Sequence, residues 1–127
     1  MLTHLARPEV RAAIQPRVER GELARAGIGD LEVGCSARSA SEWDRLAVAL
    51  ELFDLVETTA EHVHRARQVQ RLLAAKHQRG WKLPDLLIAA AAEAEGLIVL
   101  HYDADFDRIA AVTGQRREWV VPVGSIG

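Results

Sequence analysis

The sequence predicts a single α/β domain, spanning residues 1–127, in which helices cover a mainly parallel sheet. Short segments rich in strand formers alternate along the chain with segments whose apolar residues recur at helical spacing, the order that is typical of layered α/β domains. Residues 97–101 form the most continuous strand-like run, and continuous apolar strands are typical of parallel sheets that are buried on both faces. A chain of 127 residues is long enough to bury one core.

Apolar spacing, together with residues that start or stop helices, predicts six helices. Thr58 and Glu61 match the pattern of a capping box. Pro84 suits the first position of a helix, which Gly96 then ends. The predicted helices cover residues 8–21, 29–35, 39–50, 58–73, 84–96 and 103–112.

Four segments are predicted as strands because they are short, apolar and bounded by turn formers. The segment 53–57 alternates apolar and polar residues, and Pro122 marks the end of the last strand or an edge of the sheet. The predicted strands cover residues 23–28, 53–57, 97–101 and 119–122.

Composition excludes several classes of site. Cys35 is the only cysteine, which excludes an intramolecular disulfide and a cysteine-based zinc site. His62 and His64 are two residues apart and would face different directions on a helix, so a solvated pair is the favoured interpretation. No apolar run reaches the length of a membrane span, and the first residues lack the apolar region of a signal peptide. The predicted location is therefore the cytoplasm.

Four acidic residues occupy positions that converge at one edge of the predicted sheet. Asp103 and Asp105 follow the strand at 97–101, Glu32 follows the first strand, and Asp85 lies in a first helical turn. Each acid taken alone could simply favour a helix N-terminus. Together they predict a site for Mg²⁺ or Mn²⁺, because clustered carboxylates repel one another unless a cation lies between them. Such an ion can activate water and stabilise charge on a phosphodiester.

Basic residues could surround this acidic site and hold phosphate groups. Lys82 is the first candidate because it lies three residues before Asp85, and Arg38 is the second. A solvated charged face is the alternative for each of them. Trp81 lies in a basic loop and could stack a base or pack internally, whereas Trp43 and Trp119 are predicted in the core or in a dimer interface.

Three motifs resemble the PIN-domain ribonucleases, and more closely the VapC-type toxins of bacterial toxin–antitoxin pairs. They are Gly-Asp-Leu-Glu-Val-Gly-Cys-Ser-Ala-Arg (29–38), Lys-Leu-Pro-Asp-Leu-Leu-Ile-Ala-Ala (82–90) and His-Tyr-Asp-Ala-Asp-Phe-Asp-Arg-Ile-Ala (101–110). With their spacing, the resemblance covers nearly the whole chain. It implies a three-layer α/β/α sandwich, an endoribonuclease dependent on Mg²⁺ or Mn²⁺, a homodimer, and inhibition by a VapB-like antitoxin that covers the active site.

The resemblance assigns the acids to the family's catalytic and metal-binding set. Glu32 matches the second acid of the family, Asp85 the third and Asp103 the fourth, while Asp105 matches an additional acid often found in the same pocket. Gly29 replaces a hydroxyl residue frequently seen near the second acid.

The sequence departs from the pattern of the family at its start. The family opens with a central strand that ends in an Asp followed by a Ser or Thr, whereas residues 1–5 here resemble the helix after that motif. The expectation is a start codon further upstream, and the alternative is a decayed gene whose product only dimerises and binds antitoxin. A phosphohydrolase of small phosphates is a third interpretation, and the lack of a glycine-rich phosphate loop counts against it.

Overall fold

The computed structural model describes residues 7–125, which form six helices and four three-residue strands. Residues 1–5, compared above with a helix of the family, lie outside this range. The order of the elements confirms the predicted alternation of helices and strands. In chain order they are α1 (Pro8–Glu19), β1 (Ala24–Ala26), α2 (Gly27–Gly34), α3 (Ala40–Leu50), β2 (Asp54–Val56), α4 (Ala60–Ala75), α5 (Leu83–Ala94), β3 (Val99–His101), α6 (Asp105–Thr113) and β4 (Arg117–Trp119).

All strand pairs among the described residues are parallel, as predicted. They form two separate two-stranded sheets instead of the one sheet predicted, because no strand within residues 7–125 pairs with both. β1 pairs with β2, with Ala24 opposite Asp54, and β3 pairs with β4, with Val99 opposite Arg117. A cleft of about 680 Å³ is lined by β1 from one sheet and by β3 from the other. Helix α5 also lines this cleft, through Asp85, Ile88, Ala91 and Ala92.

The larger hydrophobic core lies among α4, α5, α6 and β3. Leu73 of α4 and Ile109 of α6 are almost completely buried. Ala89 and Ala90 of α5 lie in the same cluster, and their small side chains let the neighbouring helices approach closely. This packing fixes α5 against α6, which are the helices that carry the acidic residues Asp85 and Asp105.

The second core cluster anchors α1. Val10 and Ile14 are buried on one face of this helix and pack with Phe53, which precedes β2, and with Val120, which follows β4. Because this cluster draws on segments next to β2 and β4, α1 links the two sheets through apolar contacts.

Several predicted boundaries shift in the structure. The first strand ends at Ala26 because Gly27 and Ile28 already belong to α2. The last strand begins at Arg117 instead of 119 and ends before Pro122, and its pairing is set by the register with β3. No helix in residues 7–125 combines the length and the apolar character that crossing a membrane requires.

Two local predictions at the start of α4 are wrong. The N-cap is Thr59 and not Thr58: its hydroxyl accepts a hydrogen bond from the His62 backbone N–H at 3.2 Å. The His62 ring completes the capping box, because its Nδ1 accepts from the Thr59 N–H at 3.3 Å. His62 is therefore buried instead of solvated, while His64 is exposed as predicted.

Candidate metal centre

Three of the four predicted acids meet where β3 ends and α5 begins. Asp103 follows β3 after one intervening residue, Asp105 opens α6, and Asp85 lies in the first turn of α5, next to Pro84. Each of the three side chains offers one oxygen, and these oxygens lie within 4.8 Å of one another. Such spacing places three carboxylates within reach of one cation.

Asp85 is the most buried acid of the group, with 6% of its surface exposed. Burial first, and the nearby charge of Asp103 second, raise its pKa from 3.8 to about 6. Its Oδ2 is buried and has no hydrogen-bond partner among the described residues. A buried carboxylate oxygen without a partner is energetically costly, and a divalent cation would supply the missing interaction.

Asp103 has the opposite electrostatic character. Its Oδ1 accepts a hydrogen bond from the Asp105 backbone N–H at 2.9 Å, and its Oδ2 lies 3.2 Å from the Lys82 Nζ. Burial is the largest single influence and opposes ionisation, but the hydrogen bonds from Asp105 and Lys82 together lower the pKa of Asp103 below its usual value. Asp103 is therefore ionised and oriented before any ion binds.

The remaining polar contacts complete the group. The Asp105 Oδ1 lies 3.1 Å from the Arg108 Nη1. The hydrogen bond to Asp103 is also the main reason that the pKa of Lys82 is raised, so this lysine keeps its positive charge beside the acids. The cluster thus combines three acids with two neighbouring cations.

Glu32 and Arg38 are placed differently from the three clustered acids. Glu32 lines the same cleft as Asp85 and Asp103, and its charge contributes to the raised pKa of Asp85. It is not part of the group whose oxygens lie within 4.8 Å. Arg38 does not line the cleft; it is highly exposed and pairs with Glu42 at 3.4 Å.

His101 was not predicted as a site residue, yet its completely buried ring supports the turn that carries the acids. The ring Nδ1 accepts a hydrogen bond from the Asp103 backbone N–H at 3.2 Å, which assigns the proton of the neutral ring to Nε2. Nε2 lies 3.7 Å from the Asp107 Oδ1, and burial lowers the pKa of the ring. The sequence signal was a histidine at the end of an apolar strand, two residues before Asp103.

Asp107 connects this turn to β4. Its two carboxylate oxygens accept hydrogen bonds from the Arg117 Nε and the Trp119 Nε1, both at 3.1 Å. The Trp119 ring also packs against the His101 ring, with the ring centres 4.7 Å apart. Trp43 and Trp119 were predicted in the core or in a dimer interface. These contacts give Trp119 a packing role inside the protein, whereas Trp43 is half exposed.

The ligand set fits a hard divalent cation. Three carboxylates, one with a buried and unpartnered oxygen, offer the oxygen ligands that Mg²⁺ and Mn²⁺ prefer. The neighbouring His101 ring already uses Nδ1 for the Asp103 backbone. The site consequently has oxygen chemistry and not the nitrogen and sulfur chemistry typical of structural zinc.

Comparisons with known proteins identify the family of the chain. The PIN domain profile matches residues 2–112. Ribonuclease VapC51 of Mycobacterium tuberculosis is 62% identical over 126 residues, covering 99% of this chain and 92% of the relative. Ribonuclease VapC21 of the same species is 47% identical over 120 residues, covering 93% and 87%.

Solved structures show the same fold at low sequence identity. A VapBC2 complex from Rickettsia felis, bound to a DNA fragment from its promoter, aligns with a TM-score of 0.73 at 17% identity and covers 92% of this chain and 91% of that chain. A toxin–antitoxin complex from Klebsiella pneumoniae aligns with a TM-score of 0.65 at 19% identity, covering 89% and 88%. The resemblance stated from the three motifs is confirmed: the chain belongs to the PIN-domain family, and within it to the VapC ribonucleases.

Proposed function

We propose that this protein, as a single PIN domain, is an endoribonuclease that depends on Mg²⁺ or Mn²⁺ and hydrolyses RNA phosphodiester bonds. The observation that carries the proposal is the group of Asp85, Asp103 and Asp105 around a buried carboxylate oxygen without a partner. The identity of 62% to a ribonuclease over nearly the whole chain supports the same activity.

Each acid has a distinct role in holding the ion. Asp103 is oriented in advance by its two hydrogen bonds, Asp105 lies next to it on α6, and Asp85 contributes the buried oxygen. Glu32 faces them from the same cleft and would act through water or by direct ligation. A bound Mg²⁺ or Mn²⁺ would activate a water molecule and stabilise charge on the scissile phosphate.

Lys82 is proposed as the residue that contacts the substrate at this site. Its ammonium group lies 3.2 Å from Asp103, and the Lys82 side chain is 64% exposed. An exposed ammonium beside the acids can hold a phosphate oxygen of RNA while the acids hold the ion. Arg38, predicted in the same role, would need to leave Glu42 and act from outside the cleft.

The test is cleavage of single-stranded and structured RNA with Mg²⁺ or Mn²⁺, and with EDTA. Asp103→Asn should reduce cleavage to background, because it removes ligand charge while its amide oxygen can still accept the Asp105 N–H. The matched control is Asp44→Asn, the same change at an exposed position of α3. Cleavage that persists in EDTA, or equally in both variants, would contradict the proposal.

We also infer a VapB-like antitoxin partner, a homodimer and action in the cytoplasm, where RNA substrates are found. The structural neighbours are toxin–antitoxin complexes. Helices α2 and α3 expose Leu31, Trp43 and Val48, each more than half accessible, and these apolar side chains are available for contact with a partner. Light scattering of the purified protein tests the dimer: a monomer at all concentrations would contradict it.

A further inference from the structure

A second pocket, of about 500 Å³, adjoins the acidic cluster. It is formed by the loop 77–81, which connects α4 to α5, and by Asp105 and Arg108 of α6. Asp105 belongs both to this pocket and to the acidic cluster. A ligand held by the cluster could therefore continue directly into the pocket.

The pocket is basic and open to solvent. Arg79 and Arg108 are exposed, and no ion pair of Arg79 occurs among the described residues. Arg108 lies 3.1 Å from Asp105 and offsets the negative charge on the wall that the pocket shares with the cluster. His77 and Gln78 add further polar groups. The pocket can accept an anion without facing an unopposed carboxylate.

The end of α4 sets the path of this loop. His77 has a φ of 61°, in the left-handed region, and the Gln78 N–H donates to the Leu73 carbonyl oxygen at 3.0 Å. This is the Schellman arrangement that commonly ends a helix. At the other end of the loop, Trp81 packs against the larger core. Arg79 therefore lies on a loop that is anchored on both sides.

We propose that this pocket binds the phosphate of a nucleotide that flanks the scissile bond in single-stranded RNA, with Arg79 as the main contact. The proposal rests on the proposed ribonuclease function. The acidic cluster holds the scissile phosphate through its ion, and the chain of the RNA then passes over Asp105 into the basic pocket. Arg79 is able to make a planar, two-pronged contact with a phosphate, and such a contact positions RNA without reading its sequence.

The experiment measures equilibrium binding of a labelled single-stranded RNA oligonucleotide by fluorescence anisotropy at several salt concentrations with Mg²⁺ present. All variants are made in the Asp103→Asn protein, so that cleavage does not interfere. Arg79→Gln should weaken binding about ten-fold or more, the equivalent of one charged hydrogen bond. It should also reduce the dependence of log K on log salt by about 0.7 for the lost phosphate contact.

Three controls separate this site from general electrostatics. Arg71→Gln makes the same charge change on an exposed surface of α4 and should leave both quantities nearly unchanged. Arg79→Lys should restore most of the salt dependence because it keeps the charge. Two unrelated RNA sequences should lose affinity equally. If Arg79→Gln behaves like Arg71→Gln, or affects only one RNA sequence, the phosphate pocket is refuted.

Cleavage by the otherwise unchanged protein distinguishes the failure of this inference from failure of the proposed function. Arg79→Gln should raise KM for RNA about ten-fold while kcat changes little, because the contact is made in the bound state and in the transition state alike. RNA cleavage with unchanged KM in Arg79→Gln would refute the pocket alone. A protein that neither cleaves nor binds RNA would refute both.

Discussion

Replacing Asp85 by Asn is expected to stabilise the protein without metal near neutral pH and to remove most of its response to divalent cations. Both effects have the same cause, the buried carboxylate of Asp85, which lowers the stability of the metal-free protein and raises its affinity for a cation. The pKa of Asp85 is raised to about 6 because the ionised carboxylate is buried near other acids, whereas the same group in the unfolded chain has its ordinary value of about 3.9. An Asn at this position resembles the neutral acid and carries no such penalty.

The sign of the pH dependence of stability follows from whether the folded or the unfolded protein binds more protons. Between about pH 4 and pH 6, the folded protein keeps the proton on Asp85 that the unfolded chain has already lost. The free energy of unfolding therefore decreases as the pH rises through this window. A shift of about two pKa units corresponds to about 3 kcal/mol. Above about pH 6 the penalty is complete, and the Asn variant should be more stable than wild type by up to that amount.

A bound cation opposes this stability difference between wild type and Asp85→Asn. It favours the ionised carboxylate, and at one hundred times its dissociation constant it stabilises the native state by about 2.7 kcal/mol. Wild type should thus gain stability from Mn²⁺ at pH 7.5, while Asp85→Asn should gain little.

The assay is urea denaturation at pH 4.5, 6 and 7.5, with EDTA and with Mn²⁺, for wild type, Asp85→Asn and the exposed control Asp44→Asn. Differences between the proteins isolate Asp85 from the other carboxylates that titrate in the same range. If wild type and Asp85→Asn lose stability in parallel from pH 4.5 to 7.5 in EDTA, the reasoning about the raised pKa is wrong. A full Mn²⁺ response in Asp85→Asn would exclude Asp85 as a ligand.

Three further substitutions test the supporting structure by urea denaturation. Leu73→Ala, at a position with no exposed surface, should cost about 2–5 kcal/mol, and a smaller loss would mean that the core between α4 and α5 collapses around the gap. Thr59→Ala should cost about 1 kcal/mol by removing the N-cap of α4, with Thr58→Ala as the neutral control. His101→Phe keeps an aromatic ring but leaves the Asp103 N–H without its acceptor, so it should cost about 1–3 kcal/mol and weaken the Mn²⁺ response; an unchanged Mn²⁺ response would show that the turn is held by other contacts.

The acidic cluster could be predicted from the sequence because the placement of each acid depends on local signals. Asp103 and Asp105 follow the most apolar strand, and Asp85 follows a proline at the start of a helix rich in alanine. In a parallel arrangement, these positions converge by topology, without detailed knowledge of packing. The same reasoning brought Glu32 to the cleft but could not determine its distance from the other acids, which depends on how α2 packs.

Sequence reasoning placed His62 wrongly and missed His101, because the roles of both residues depend on side-chain orientation. His62 and His101 are both buried, and each uses Nδ1 to accept a backbone N–H, one at a helix start and one at a strand end. Neither hydrogen bond produces a periodic pattern in the sequence from which it could be predicted. Arg38 was predicted beside the acidic site as a substrate contact; its side chain pairs with Glu42 outside the cleft, and its contact with RNA stays a prediction.

Electrostatics within the cluster couples folding to ion binding. Asp103 and Asp105 are neutralised in part by Lys82 and Arg108 on the solvent side, whereas Asp85 faces the interior of the cleft without a partner for its Oδ2. The unbalanced charge therefore lies between α5 and the turn after β3, the two segments that a cation would join. Because α5 is also packed against α4 and α6 through the larger core, it cannot move away to relieve the repulsion. The fold therefore retains the electrostatic cost of ionising Asp85, and a bound cation would relieve that cost.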